Sequence, residues 1–167
     1  MKEQNKEKLL RLIDDNAKLT NEQLAVMLGE DAQDVAQTIA GYEKQGVIRG
    51  YKALIDWDQT DRNLVSARIE IKVIPKGTMG FEEIAYTISQ FREVETCYLM
   101  SGGYDLALTI SGKTFKDIAL FVAHRLAPLE PVQSTSTHFV LKKYKQRGHA
   151  FLLILHQYRG GTQKYLR

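Results

Sequence analysis

VSARIEIKV, residues 65–73, alternates apolar and polar side chains along its whole length: Val65, Ala67, Ile69, Ile71 and Val73 against Ser66, Arg68, Glu70 and Lys72. Successive side chains of a strand point to opposite faces, so the pattern predicts a β-strand with one dry and one wet face. Pro75-Lys76-Gly77 breaks it, and the period then changes. Phe81, Ile84, Ala85, Ile88 and Phe91 recur at three- and four-residue steps, which predicts a helix. VETCYLM (94–100) predicts a second strand and YDLALTIS (104–111) a third. Between them Gly102-Gly103 predicts the turn, because both glycines can take positive φ. A helix carrying Phe115, Ile118, Ala119, Phe121 and Val122 closes at Pro128, and a last strand is expected from Val132 to about Tyr144. The order βαββαβ places the chain in the α+β class, with helices on one face of an antiparallel, ferredoxin-like sheet.

Upstream, residues 1–50 repeat one device three times: a polar cap, a short amphipathic helix, a stop. The first helix is expected over about Asn5–Asp15, with a stripe of Leu9, Leu10, Leu12 and Ile13. Thr20-Asn21-Glu22-Gln23 reads as a capping box opening the second, whose Leu24, Ala25 and Leu28 face inward before Gly29 ends it. The third starts near Asp31, turns Val35, Ile39 and Tyr42 inward, and stops at Gly46. Three such helices with a tight turn between the last two predict a helix-turn-helix. Val47–Trp57 reads as an extended link between two domains.

Composition narrows the function. At 167 residues, 44% hydrophobic and 26% charged, the chain can bury a real core. Its single cysteine, Cys97, has no partner for an internal disulfide, the N-terminus lacks a signal-like apolar stretch, and FLLIL (151–155) is far short of the roughly 18 residues of a membrane span. A cytoplasmic protein is expected. His124, His138, His149 and His156 are scattered, so no metal site is expected. No nucleophile has an evident base, and no glycine-rich loop opens a helix; neither an enzyme nor a cofactor is expected. The net charge of +3 is unevenly spread: residues 1–61 carry −4, residues 62–141 are neutral, and residues 142–167 hold seven Lys and Arg with no acid.

YEKQGVIRGYKALID (42–56), the Gly102-Gly103-Tyr104-Asp105 turn and Gln133-Ser134-Thr135-Ser136-Thr137 follow one another in an order that resembles the Lrp/AsnC family, the leucine- and asparagine-responsive transcription regulators, over residues 5–145. The resemblance implies residues 1–50 as a DNA-binding helix-turn-helix and 51–62 as a linker. Residues 63–147 would be an effector-binding and oligomerisation domain, and 148–167 a basic tail. It implies a homodimer, often built into a larger assembly, that binds a small amino acid. By position it nominates Met100, Ser101, Gly102, Gly103, Tyr104 and Asp105 on one side of the effector site and Gln133, Ser134 and Ser136 on the other. Bare glycine amides suit a carboxylate, and Asp105 or a hydroxyl suits an ammonium. The glycine pair also makes a plain hairpin turn, and Asp105 also reads as a turn-stabilising residue.

In that family the third helix normally carries arginines, whereas here it has Thr38, Ala40 and Gly41, and its start holds Glu30, Asp31 and Asp34. Carboxylates there cap free amides and meet the positive end of the dipole. Gln33, Gln37 and Thr38 are the candidate base readers, and Lys44, Arg49 and Lys52 the candidate phosphate contacts. The negative charge of residues 1–61 weakens the expectation of DNA binding. The alternative is an amino-acid-sensing or scaffold oligomer whose acidic heads bind a protein and no longer bind DNA specifically.

Overall fold

The computed structural model describes residues 1–62, 64–74 and 80–151, and the chain divides into two compact units, Met1–Ile55 and Asp56 onward. The Pro75-Lys76-Gly77 break, the FLLILH segment beyond Phe151 and the cations Arg159, Lys164 and Arg167 lie outside the described residues.

The first unit holds α1 (Glu3–Asp15), α2 (Asn21–Leu28) and α3 (Ala32–Lys44). Helix α1 begins two residues before the expected Asn5, after Lys2, without a side-chain cap. Thr20 and Gln23 form the reciprocal capping box that opens α2. Gly29 closes α2 at φ +65, a left-handed conformation that glycine takes without a steric penalty. Leu9, Leu24, Ala25, Leu28 and Val35 are buried together, with Leu12, Ile13 and Ile39 packed against them. From Arg49 to Asp56 there is no regular secondary structure.

The second unit is a four-stranded antiparallel sheet built of β1 (Val65–Val73), β2 (Val94–Leu99), β3 (Leu106–Gly112) and β4 (Val132–Phe139). Its order is β2-β3-β1-β4, so β1 is an interior strand, paired on both sides. Helices α4 (Phe81–Ser89) and α5 (Phe115–Phe121) cover one face, α5 continuing as a π-type stretch over Val122–Leu126. The dry side of β1 is buried as expected: Ala67, Ile69, Ile71 and Val73 pack with Ile84 and Ile88 of α4, Leu106, Leu108 and Ile110 of β3, and Ile118 and Phe121 of α5. The wet side, Ser66, Arg68, Glu70 and Lys72, lies on the face away from the helices.

The last strand is shorter than expected and ends at Phe139 rather than near Tyr144. Its partner sets the limit: β1 starts at Val65, and the last rung is Val140 N–H donating to the Ser66 carbonyl (2.8 Å). The chain then folds back on itself as a two-stranded ribbon, β5 (Lys145–Gln146) and β6 (His149–Ala150). Arg147 and Gly148 form its turn with φ +47 and +82, the pattern of a type I′ hairpin.

Candidate functional site

Two groups of residues carry the functional expectations, one in each unit. In the first, two of the acids at the entry to α3, Glu30 and Asp31, are engaged within the unit. Asp31 is the N-cap, its Oδ1 accepting from Gln33 N–H (2.7 Å). Glu30 Oε1 accepts from Asn5 Nδ2 (2.6 Å) and from Lys2 N–H (3.3 Å), which ties the start of α1 to the turn between α2 and α3. The hydrogen bond from Asn5, more than that from Lys2, holds the Glu30 carboxyl below the usual range.

At 3.6 residues per turn, Gln33, Gln37 and Lys44 fall within about 40° of one another, opposite Val35, Ile39 and Tyr42. All three are exposed, so α3 presents them as one stripe. Thr38 is not part of it. It sits about 100° round the helix from Gln37, and its hydroxyl donates to the Asp34 carbonyl (2.7 Å). The cations past the helix gather near its C-terminal end. Arg49 lies over Gly46, where an added Cβ would meet its Cζ at 3.3 Å. Tyr51, one residue before the exposed Lys52, donates to Glu43 of α3 (2.9 Å). Burial first, then that carboxylate, pushes the Tyr51 phenol up.

In the second unit the two nominated stretches lie at the same end of the sheet, on either side of β1. Met100 N–H donates to the Asp105 carbonyl (2.8 Å), closing the β2–β3 hairpin around Ser101–Tyr104. Only Gly102 of the glycine pair takes a positive φ, +147; Gly103 does not, so one glycine supplies the special backbone where two were expected. Asp105 N–H donates to Ile71, and Asp105 Oδ2 accepts from Val73 N–H (2.8 Å). Two residues past Ile71, β1 has outrun β3, and the carboxylate supplies the acceptor that the strand no longer provides. One Asp105 oxygen is therefore committed to the backbone.

On the other side, Lys72 pairs with Ser134 and Val73 with Val132, so Gln133 is the extra residue of a β-bulge. Ser134 and Ser136 stand opposite Lys72 and Glu70 on the open face. With one strand between the two stretches, they are about 10 Å apart. Three contacts on this face were not expected from the sequence. The Tyr104 hydroxyl accepts from Arg68 Nη2 (2.6 Å), and His138 Nε2 lies 3.2 Å from Ser136 Oγ and 3.5 Å from Glu70 Oε2. Their signal was present in the register: Arg68, Glu70, Ser136 and His138 all occupy wet positions of paired strands. Cys97 of β2 is half-buried, and burial pushes its thiol up. Among the described residues no group of histidine, cysteine or acidic side chains is arranged to hold a metal, and no helix is long and apolar enough to cross a membrane.

Comparison with known proteins agrees with this architecture. Residues 66–150 match the model of the Lrp/AsnC ligand binding domain. The HTH-type transcriptional regulator YugG of Bacillus subtilis is 44% identical over 144 residues, covering 86% of this chain and 87% of that protein. The leucine-responsive regulatory protein of Haemophilus influenzae is 29% identical over 83% of each chain. Among solved structures, a transcriptional regulator of Neisseria meningitidis in complex with L-methionine shares the fold at a TM-score of 0.69 and 24% identity, over 94% of this chain and 99% of that one. Helical head, ligand-binding sheet and relatives together place this chain in the Lrp/AsnC family of transcriptional regulators.

Proposed function

We propose that this regulator binds promoter DNA through the exposed stripe of α3 and responds to a small amino acid held by its C-terminal unit, acting in the cytoplasm as a homodimer or larger assembly. The observation that carries it is the stripe itself, Gln33, Gln37 and Lys44 on the exposed side of the last helix of a helix-turn-helix. Glutamine can make a paired contact to adenine in the major groove, and Lys44, Arg49 and Lys52 are the cations available to fix register on phosphates. For the effector, the amides of Ser101–Gly103 suit a carboxylate. The second oxygen of Asp105 suits an ammonium. The L-methionine bound by the N. meningitidis relative supports an amino acid as the ligand class.

The test is a titration of labelled upstream promoter DNA and a scrambled control with purified protein at about 50 and 200 mM salt. Preferential retention of the promoter is expected, and Gln33→Ala with Gln37→Ala should erase the preference. Amino acids are screened by thermal shift, where a ligand at about 100 times its Kd stabilises by about 2.7 kcal/mol. A second function is favoured by the exposed Val26 (83%) and Met27 (48%), which with Leu19 form an apolar patch on the head: binding of a protein partner. No retention of either DNA at micromolar protein and low salt selects it.

A further inference from the structure

We infer that the β5–β6 ribbon with its approach, residues 142–149, is a second DNA contact, a sequence-independent grip on the phosphate backbone that supplies the positive charge the head lacks; it rests on the DNA-binding function proposed above. Lys142, Lys143, Lys145 and Arg147 are four cations in six residues, and no Asp or Glu occurs from residue 131 to residue 167. Among the described residues none of the four joins an ion pair, whereas Arg11 is paired to Glu7 and Arg125 to Glu93. Unneutralised cations on one ribbon are what counterion release requires, because affinity for DNA comes largely from Lys and Arg displacing condensed ions from phosphates.

The backbone supports this independently of the charge. Arg147 is the one non-glycine residue at positive φ among the described residues. That conformation penalises a side chain with a Cβ and is visited mainly by glycine and asparagine. An arginine held there at the ribbon's tip marks a position where the guanidinium outweighs the easier turn. Tyr144, exposed among the cations with Lys142 Nζ 5.4 Å from its ring centre, adds an aromatic surface of the kind that lies against nucleotides. The competing occupant is the acidic head of a second copy, since Val140 and the fully exposed Leu141 (91%) precede the ribbon. DNA fits better, because the ribbon itself carries cations, one aromatic ring and no apolar aliphatic face.

The experiment uses the full chain and a variant with Lys142→Gln, Lys143→Gln, Lys145→Gln and Arg147→Asn, asparagine preserving the left-handed turn. Fluorescence anisotropy follows promoter and scrambled duplexes across a salt series. At about 0.9 of slope per phosphate contact, the dependence of log affinity on log salt should become shallower by about two to four per chain bound. The ratio of promoter to scrambled affinity should stay within about twofold, since phosphate contacts carry no sequence information. The three lysines exchanged for arginine should keep the wild-type slope. A variant that binds with the wild-type slope overturns this inference alone. Wild-type protein that binds no DNA at low salt overturns it together with the function it rests on. Sedimentation velocity supplies the last outcome: a variant whose assembly falls apart as its affinity drops shows the ribbon joining copies of the chain, and sinks the DNA contact.

Discussion

Asp105 and Glu30 are both acids whose carboxylates hold backbone together. Asp105 accepts from Val73 N–H at 2.8 Å where β1 runs past β3. Hydrogen bonds to charged groups contribute about 1.5–3 kcal/mol, and a buried amide left without an acceptor costs about 1–3 kcal/mol. Asp105→Ala should therefore lower the stability of the second unit by about 1–3 kcal/mol. Asp105→Asn should cost less, because its amide oxygen still accepts; denaturant midpoints separate the two, and equal losses would refute the assignment. Glu30 makes a pH prediction. Its folded pKa lies below the unfolded one, so its contribution is present above the ordinary glutamate range near 4.3 and disappears as pH falls through the folded value. The melting temperature of the first unit should be lower in Glu30→Gln than in wild type at pH 7, and the gap should close as pH falls below the ordinary glutamate range. The cap at Asp31 was legible in the sequence because N-caps follow local rules. The partner of Glu30 was not, since Asn5 lies 25 residues away and no local rule reaches that far.

Helices and strands were legible wherever one face is dry. Period-two alternation marked β1, period 3.6 marked α4 and α5, and the Thr20–Gln23 box marked the start of α2. What escaped depended on a partner. The end of β4 is set by the start of β1, and the ribbon at 145–150 turns on Arg-Gly, which lacks the Asn-Gly or Asp-Gly signal that announces such a turn. Of the nominated residues, Gln33, Gln37 and Lys44 share one exposed face of α3 while Thr38 lies off it, and the two nominated stretches of the second unit come to the same end of the sheet, but their hydrogen bonds were not legible. Packing between elements yields a further prediction at Gly112, the last residue of β3. A Cβ there would come within 3.1 Å of Ile118 Cγ1, and Ile118 is fully packed in the core. Gly112→Ala should destabilise the second unit by about 1–3 kcal/mol through overpacking, whereas Gly112→Ala with Ile118→Val should recover part of the loss. Thermal melts of the single and double variants decide it.

The molecule has two cores of unequal size. Among the described residues, the core cluster of the first unit has five buried apolar side chains and that of the second thirteen, so the first has less apolar burial with which to offset its chain entropy. Calorimetry should resolve two transitions, the earlier belonging to the helical unit. Leu9→Ala should lower only the first and Ile69→Ala only the second, each by about 2–5 kcal/mol. A single cooperative transition shifted equally by both would show that the units fold as one.

The turn at Arg147 has a consequence for selection. Sequences are retained by what the protein must do as well as by how well it folds, and stabilising changes are easy to find where the two diverge. A library of this chain screened for heat resistance alone should therefore enrich glycine or asparagine at position 147, each of which takes positive φ more easily than arginine does. Screened for regulation of a reporter gene, the same library should hold arginine there if the proposed DNA contact operates, and the gap between the two outcomes measures how far this chain has been kept from its own most stable sequence.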